Sequence, residues 1–103
     1  MKQKSQEVAV LQQQGEKYTV SGVLNFATVS QLYLTGEQLF NHFEKIEIDF
    51  SNAILNDSSA LALLIEWTKM ARVQKKKIYF SHLPQQLIAI AKLSNLNKIL
   101  PIV

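Results

Sequence analysis

The stretch "NDSSALALLIEWTKMARVQKKK", residues 56–77, predicts an amphipathic helix with an unusually wide apolar surface. At about 100° per residue, one arc of the helix from about Ser58 to Gln74 carries the expected core stripe. The stripe consists of Leu61, Leu64, Ile65, Thr68 and Ala71, and a neighbouring apolar arc consists of Ala60, Leu63, Trp67 and Met70. Because a helix of a small globular protein normally buries one stripe, this second arc needs its own explanation.

Two explanations of the second arc are open at this point. The helix can be buried on both sides within its own domain, with the C-terminal segment covering part of it. Alternatively, Leu63, Trp67 and Met70 face solvent and form a docking patch for another protein. Trp and Met are enriched in such patches, and Trp is a frequent energetic anchor.

The polar opening of the helix also has two interpretations. Asp57 or Ser58 is expected to accept a backbone N–H as the N-cap, and the acid is favourable at the positive end of the helix dipole. A hydroxyl at a helix N-terminus can also carry a phosphate group in a favourable field. Ser58 is therefore a possible phospho-acceptor beside a docking surface.

Strands and helices alternate on both sides of this stretch, which indicates a mixed sheet with helices packed on it. Gly15 is expected to lie in a hairpin turn, "SGVLN" (21–25) to leave the second strand, and Gly36 to be tolerated inside a helix. The expected elements are hairpin strands at 8–11 and 18–20, a helix over 26–43, a strand over 45–50, a loop over 51–56, a strand over 77–82 and a helix from Pro84 to Leu93. We predict a single α/β domain over residues 1–103 with a four- to five-stranded sheet.

The composition is that of a globular chain, with 103 residues of which 48% are hydrophobic and 18% charged. The absence of cysteine excludes disulfides and thiolate sites and favours a reducing compartment. No run approaches the roughly 20 apolar residues that a membrane-spanning helix needs. The formal charge is +3, and its one cluster, Lys75–Lys77, is interpreted as a solvated turn that complements the helix dipole.

The sequence contains no pattern that indicates an enzyme. The three glycines do not form a nucleotide-binding loop. His42 and His82 lack the spacing of metal ligands, and both are interpreted as ends of secondary-structure elements. Glu47 and Asp49 are interpreted as the polar side of a half-buried strand. We therefore expect no catalytic residue, no metal and no cofactor, and we favour a binding module.

The order of elements around "IDFS" (48–51) and "NDSSALALL" (56–64) resembles the STAS domain. In the anti-anti-sigma factors of that family, the switch pattern is Asp-Ser-[Ser/Thr]-Gly-Leu, and its first hydroxyl is the phospho-acceptor. Asp57, Ser58, Ser59 and Leu61 match this pattern, whereas Ala60 stands in place of the glycine. This resemblance implies an anti-anti-sigma factor regulated by phosphorylation of Ser58, which we keep as the alternative function.

The chain resembles the MlaB-like branch of the STAS family more closely. The segments that carry this resemblance are "SGVLN" (21–25), "LALL" (61–64), "AKLSNL" (91–96) and "LP" (100–101). It implies a cytoplasmic, non-enzymatic subunit of a phospholipid-transport ABC complex that maintains outer-membrane lipid asymmetry. Such a subunit binds an MlaF-like ATPase in complex with a permease and is held at the inner membrane through it. Neither nucleic-acid binding nor direct membrane insertion is implied.

The resemblance also implies which residues contact the partner. In this family, the loop before the central helix and the first turns of that helix meet the ATPase. The corresponding residues are Asn56, Asp57, Ser58, Ser59, Leu63 and Trp67, and Met70 extends the same arc. Tyr33, on the preceding helix, aligns with a partner-facing aromatic position, and its alternative interpretation is a residue at the rim of the core.

Overall fold

The computed structural model describes residues 8–103, except for the side chain of His42. After an N-terminal hairpin, helices and strands alternate along this part of the chain. The elements are β1 (Ala9–Gln14), β2 (Lys17–Leu24), α1 (Phe26–Leu39), β3 (Lys45–Leu55), α2 (Ser59–Val73), β4 (Lys77–Ser81) and α3 (Gln85–Leu93), with a short 3-10 helix at Phe40–His42. Residues 1–7 of the predicted domain lie outside the described residues.

The four strands form one mixed sheet in the order β1-β2-β3-β4. β1 is antiparallel to β2, whereas β2, β3 and β4 are parallel to one another. Ile102 makes an isolated parallel bridge with Phe80, so the end of the chain lies along β4 as a rudimentary fifth strand. The predicted α/β class, with a mixed sheet and helices packed on it, is confirmed.

Two of the predicted loops belong to the sheet. The prediction that "SGVLN" leaves β2 is wrong, because Ser21 to Leu24 pair in parallel with β3. The predicted loop over 51–56 is also wrong up to Leu55, since β3 continues to that residue. The ladder shifts register between Thr19 and Ser21, which places an extra residue in β3 near Ser51. This bulge interrupts the alternation of apolar and polar residues on which the strand prediction depended.

All three helices pack on one face of the sheet, because their buried side chains join a single core cluster with one side of the strands. The strands contribute alternate residues to this core, as half-buried strands do. The largest buried side chains of the strands are Tyr18, Leu24, Ile46, Ile48, Phe50 and Phe80. The opposite face of the sheet carries Lys17, Glu47 and Asp49 near the start of β2 and β3, and the exposed Val10 and Ile54 further along.

The parallel connections bring the first turns of α1 and α2 to the same edge of the sheet, where β2 and β3 end. α1 begins after Asn25, whose side chain accepts hydrogen bonds from the backbone N–H groups of Ala27 and Thr28. The Thr28 hydroxyl in turn accepts a hydrogen bond from the Asn25 N–H at 2.9 Å, which completes a capping box. α2 begins after the polar loop of residues 56–58, so this loop adjoins the start of α1.

Candidate functional site

The second apolar arc of α2 is buried against α1. Trp67 is 0% exposed, Leu63 2% and Met70 8%. The Trp67 ring packs edge-to-face on Phe40, with ring centroids 5.4 Å apart. The prediction that Leu63, Trp67 and Met70 face solvent is therefore wrong. The arc belongs to the core of the domain, and α1 rather than the C-terminal segment covers it.

Gly36 explains why α1 can cover this arc. A Cβ atom at this position would lie 2.6 Å from Trp67 Nε1 and 2.9 Å from Phe40 Cε2. Only a residue without a side chain leaves room for the indole ring between the helices. Gly36 is thus a packing requirement of the α1–α2 contact and not merely a tolerated residue.

A groove of about 430 Å³ opens between α1 and α2 on the solvent side of this contact. Its walls and floor are mostly apolar: Val29, Ser30, Tyr33, Leu34, Ala62, Leu63 and Glu66. Leu63 reaches this groove as part of the floor, and Tyr33 is half-buried at its edge. Leu34 is 52% exposed, so the wall that it forms presents apolar surface to solvent.

The loop before α2 is held by Asp57. One carboxylate oxygen accepts a hydrogen bond from the Ser59 N–H at 2.8 Å, and the other accepts one from the Phe26 N–H at 3.3 Å. Asp57 therefore caps α2 and joins it to the first residue of α1. Of the two predicted capping residues it is Asp57 that acts, because the side chain of Ser58 makes no capping hydrogen bond.

Asp57 is stabilised as a carboxylate by its neighbours. The Ser59 hydroxyl lies beside the Asp57 carboxylate, although no hydrogen bond is formed between them. This hydroxyl and the Ser59 N–H lower the pKa of Asp57 below 3.8, and the Phe26 N–H makes a smaller contribution. Ser59 itself is buried, and its Oγ has no hydrogen-bond partner within the described residues. Ser59 was predicted to be part of a contact surface. In the structure it lies below that surface, under Asp57 and Ser58.

Asn56 and Ser58 are exposed on this loop, and the Ser58 hydroxyl is free of any capping contact. Phe26, the first residue of α1, lies beside them and is 74% exposed. The loop lines a separate groove with Gln86 and Ile90 of α3 and adjoins the start of α1 through the contact of Asp57 with Phe26. We call the loop, Phe26 and the groove between α1 and α2 together the α1–α2 surface. Its members that reach solvent are Phe26, Ser30, Tyr33 and Leu34 on α1 and Asn56, Asp57, Ser58, Ala62 and Glu66 at α2.

Phe26 and Leu34 were not predicted, although the sequence contains a signal for them. Phe26, Ser30 and Leu34 recur every four residues, so they share one side of α1. That side lies away from the buried stripe of Thr28 and Leu32. Two large apolar residues on the polar side of a helix indicate a contact surface when they adjoin a groove.

A second polar cluster lies on the open face of the sheet. Asp49 lies 3.5 Å from both Lys17 Nζ and His82 Nδ1, and Lys17 also approaches Glu47 at 3.8 Å. Burial alone would raise the pKa of Asp49, but hydrogen bonding by the Ser51 N–H and hydroxyl and the proximity of His82 and of the Lys17 ammonium together lower this pKa below 3.8. These contacts agree with the interpretation of Glu47 and Asp49 as the polar side of a half-buried strand.

Two kinds of feature, a metal-binding cluster and a membrane-spanning helix, are absent from residues 8–103, the part of the chain that the structure describes. In this part of the chain, no group of three or more His, Cys, Asp or Glu side chains is arranged to hold a metal ion. None of the helices described there combines the length and the apolar character that crossing a membrane requires.

Comparison with known proteins supplies a family. Residues 8–102 match the family model described as "Mlab, STAS domain". No curated protein matches the chain.

Solved structures share the fold. The anti-sigma factor antagonist SpoIIAA in its unphosphorylated form has a TM-score of 0.71 at 14% identity, with 92% of this chain and 85% of that chain covered. The Bacillus cell fate determinant SpoIIAA in the phosphorylated form has a TM-score of 0.67 at 15% identity, with 92% and 88% covered. An anti-sigma factor antagonist from Mycobacterium paratuberculosis has a TM-score of 0.64 at 14% identity, with 94% and 85% covered.

Proposed function

Because the chain belongs to the STAS domain family, whose MlaB model it matches, we propose that it is a non-enzymatic docking subunit of an ABC transporter. Its partner is a cytoplasmic, MlaF-like ATPase subunit in complex with a permease. Through this partner the protein is held at the inner membrane, where it supports assembly and activity of a phospholipid-transport complex that maintains outer-membrane lipid asymmetry.

The observation that carries this proposal is the α1–α2 surface. It joins an apolar groove to exposed Phe26 and Leu34 and to the loop that carries the Asp57-Ser58 pair. Exposed apolar side chains around a groove mark a protein contact more often than a free surface. The groove is closed below by packed core residues, so the partner would dock on a rigid surface. Trp67 and Met70 support this surface from beneath and are not proposed as contact residues.

We expect Ala62→Arg to block docking. Ala62 is exposed on α2 and lines the groove, so a long charged side chain there fills the groove without disturbing the core. Binding of the ATPase subunit should weaken at least roughly tenfold, as loss of a central contact does. The measurement is co-purification of the tagged chain with its ATPase from the native host, followed by titration of the purified pair.

The matched control is Ala89→Arg, which places the same side chain at an exposed position of α3. It should bind the ATPase as wild type does and melt at the same temperature. Equal binding by both variants would contradict the proposed surface while leaving the partner in place. Failure to recover any ABC ATPase with the wild-type chain would contradict the partner itself.

The alternative function, an anti-anti-sigma factor, is favoured by the geometry of Ser58. Its hydroxyl is exposed, makes no capping bond and stands at the start of a helix of 15 residues, where the helix dipole favours a phosphate. Phosphopeptide analysis of the protein from its native host tests this function. Phosphate on Ser58 together with a co-purified anti-sigma kinase would support it over the transporter.

Substitutions at Ser58 separate folding from docking. Because Asp57 provides the cap, we expect Ser58→Ala to change the free energy of unfolding by less than about 0.5 kcal/mol. Ser58→Glu adds a second negative charge beside Asp57 at the edge of the α1–α2 surface. It should weaken ATPase binding several-fold while the melting temperature stays close to that of Ser58→Ala. Unchanged binding by Ser58→Glu would show that this hydroxyl lies outside the contact.

A further inference from the structure

Charge is distributed unevenly along the helix axes. Every Lys and Arg among residues 8–103 lies toward the end of the domain where the strands begin and the helices finish. The opposite end, which includes the start of the α1–α2 surface, has Asp57 and no Lys or Arg in the described residues. The sequence analysis assigned Lys75–Lys77 to a solvated turn, but the fold adds further residues to the same place.

Four cations without an ion-pair partner in the described residues lie around the turn between α2 and β4 and the C-terminal segment, and Lys92 in the last turn of α3 is a further one. Arg72 and Lys77 line one shallow groove with Ile99, between the last turn of α2, the start of β4 and the C-terminal segment. Lys75 lies in the turn between them, and Lys98 precedes Ile99. All four side chains are exposed. We call this set, together with Val73 and Ile99, the basic end.

Other lysines nearby have structural partners and are left out of the set. Lys76 Nζ donates to the carbonyl oxygen of Phe43 at 2.6 Å and so fixes the chain after the 3-10 helix. Lys45 lies over the Tyr79 ring, 5.7 Å from its centroid. Glu44 is the acid next to Lys45 in the chain and reduces the positive charge at this edge only in part.

Two large apolar side chains flank these cations on different sides of α2. Ile99 lines the groove with Arg72 and Lys77, and Val73 lines another groove with Glu37, Glu66 and Lys69. Val73 is 82% exposed and Ile99 is 54% exposed. Surfaces that contact the headgroup and upper acyl region of an anionic bilayer combine Lys and Arg with exposed aliphatic residues. A surface that binds single-stranded nucleic acid would instead present aromatic rings for stacking, and Tyr79 is half-buried under Lys45.

We propose that the basic end binds the surface of an anionic phospholipid bilayer, with Val73 and Ile99 reaching the headgroup level. The proposal does not depend on the docking function. Arg72 lies about 15 Å along the α2 axis from Ala62, at about 1.5 Å per residue, and lines a different groove, so a partner on the α1–α2 surface leaves the cations of the basic end accessible. The contact is peripheral and requires no membrane-spanning segment.

The test is flotation of the purified full chain with vesicles of phosphatidylcholine, alone or with about 30 mol% phosphatidylglycerol. Wild type should bind the anionic vesicles, release them as salt is raised and ignore the neutral ones. R72Q/K75Q/K77Q should bind about a hundredfold more weakly, at about fivefold per charge. Equal binding to both vesicle types, or full binding by this triple variant, would overturn the proposal.

Two further variants and one competitor identify the ligand. K17Q removes one lysine charge on the open face of the sheet, where Lys17 pairs with Asp49 at 3.5 Å, and should bind as wild type does. A loss in K17Q as large as in the triple variant would overturn the proposal, because net charge alone would then explain binding.

V73S/I99S should weaken vesicle binding by roughly tenfold. No change in V73S/I99S would overturn the bilayer as the ligand, since a purely charged ligand does not need these side chains. Tighter binding of short duplex DNA, lost in the same triple variant, would likewise overturn it in favour of nucleic acid. Circular dichroism melts verify that every variant is folded.

Discussion

Trp67→Ala is expected to lower the free energy of unfolding by about 3–5 kcal/mol, the range for truncating a large buried aromatic side chain. Trp67 is completely buried between α1, α2 and the sheet, and its ring packs on Phe40. Removing it leaves a cavity that two helices and a sheet cannot close without losing their own contacts. For a domain of this size, the melting temperature should fall by about 15 °C or more.

Thermal denaturation, monitored by circular dichroism, measures this effect. Two further variants serve as comparisons for it. Leu34→Ala truncates an apolar side chain that is 52% exposed on the outer side of α1, so its melting temperature should stay near that of wild type. Trp67→Phe should cost less than Trp67→Ala, because it keeps a ring against Phe40 and removes an indole N–H that has no hydrogen-bond partner within the described residues. A Trp67→Ala protein that melts within a few degrees of wild type would contradict the core position of this residue.

The elements with strong local periodicity were predictable from the sequence. α2 runs from Ser59 to Val73, against a prediction of about Ser58 to Gln74. The hairpin turn at Gly15, where φ is 65°, also lies where it was predicted. These features depend on near neighbours in the chain, on helical spacing, capping and turn chemistry, which the sequence displays directly.

The predictions that were wrong concern contacts between segments that are distant in the sequence. Whether the second arc of α2 faces solvent depends on how α1 lies beside it, which no local pattern states. Gly36 was the available signal, because a glycine on the buried side of a helix leaves room for a large partner ring such as Trp67. The continuation of β3 beyond Phe50 was hidden by a bulge, whose position depends on pairing with β2.

The candidate site divides in the same way. Asn56, Asp57 and Ser58 were predicted because they form a contiguous motif, and the structure brings this motif beside α1. Phe26 and Leu34 were not predicted, since their exposure depends on the rotation of α1 about its own axis. That rotation is set by the packing of Gly36 against α2. The α1–α2 surface is therefore a consequence of the core contact beneath it.

Gly36→Ala tests that dependence and is expected to destabilise the domain by about 1–2 kcal/mol net, because overpacking a rigid site costs about 1–3 kcal/mol. The sign of this change in the free energy of unfolding is informative. An alanine in place of glycine inside a helix ordinarily stabilises it by about 0.5–1 kcal/mol. Here the new methyl group would lie 2.6 Å from Trp67 Nε1 and 2.9 Å from Phe40 Cε2, and neither ring has free space in which to move. α1 must then tilt away from α2, which also reshapes the groove that Tyr33 and Leu34 line.

A double-mutant cycle with Trp67→Phe identifies the cause. Phenylalanine lacks the indole nitrogen and the fused ring atoms that the methyl group would meet, so the Trp67→Phe background should accept Gly36→Ala with little further loss. Free energies of unfolding from urea titration should give a coupling of at least about 1 kcal/mol between the two positions, as contacting residues do. Gln38→Ala, two residues away and exposed on α1, should show no coupling with Trp67→Phe. If Gly36→Ala stabilises the protein, or if its cost is the same in the Trp67→Phe background, then the close approach of α1 to the Trp67 ring does not hold the two helices together.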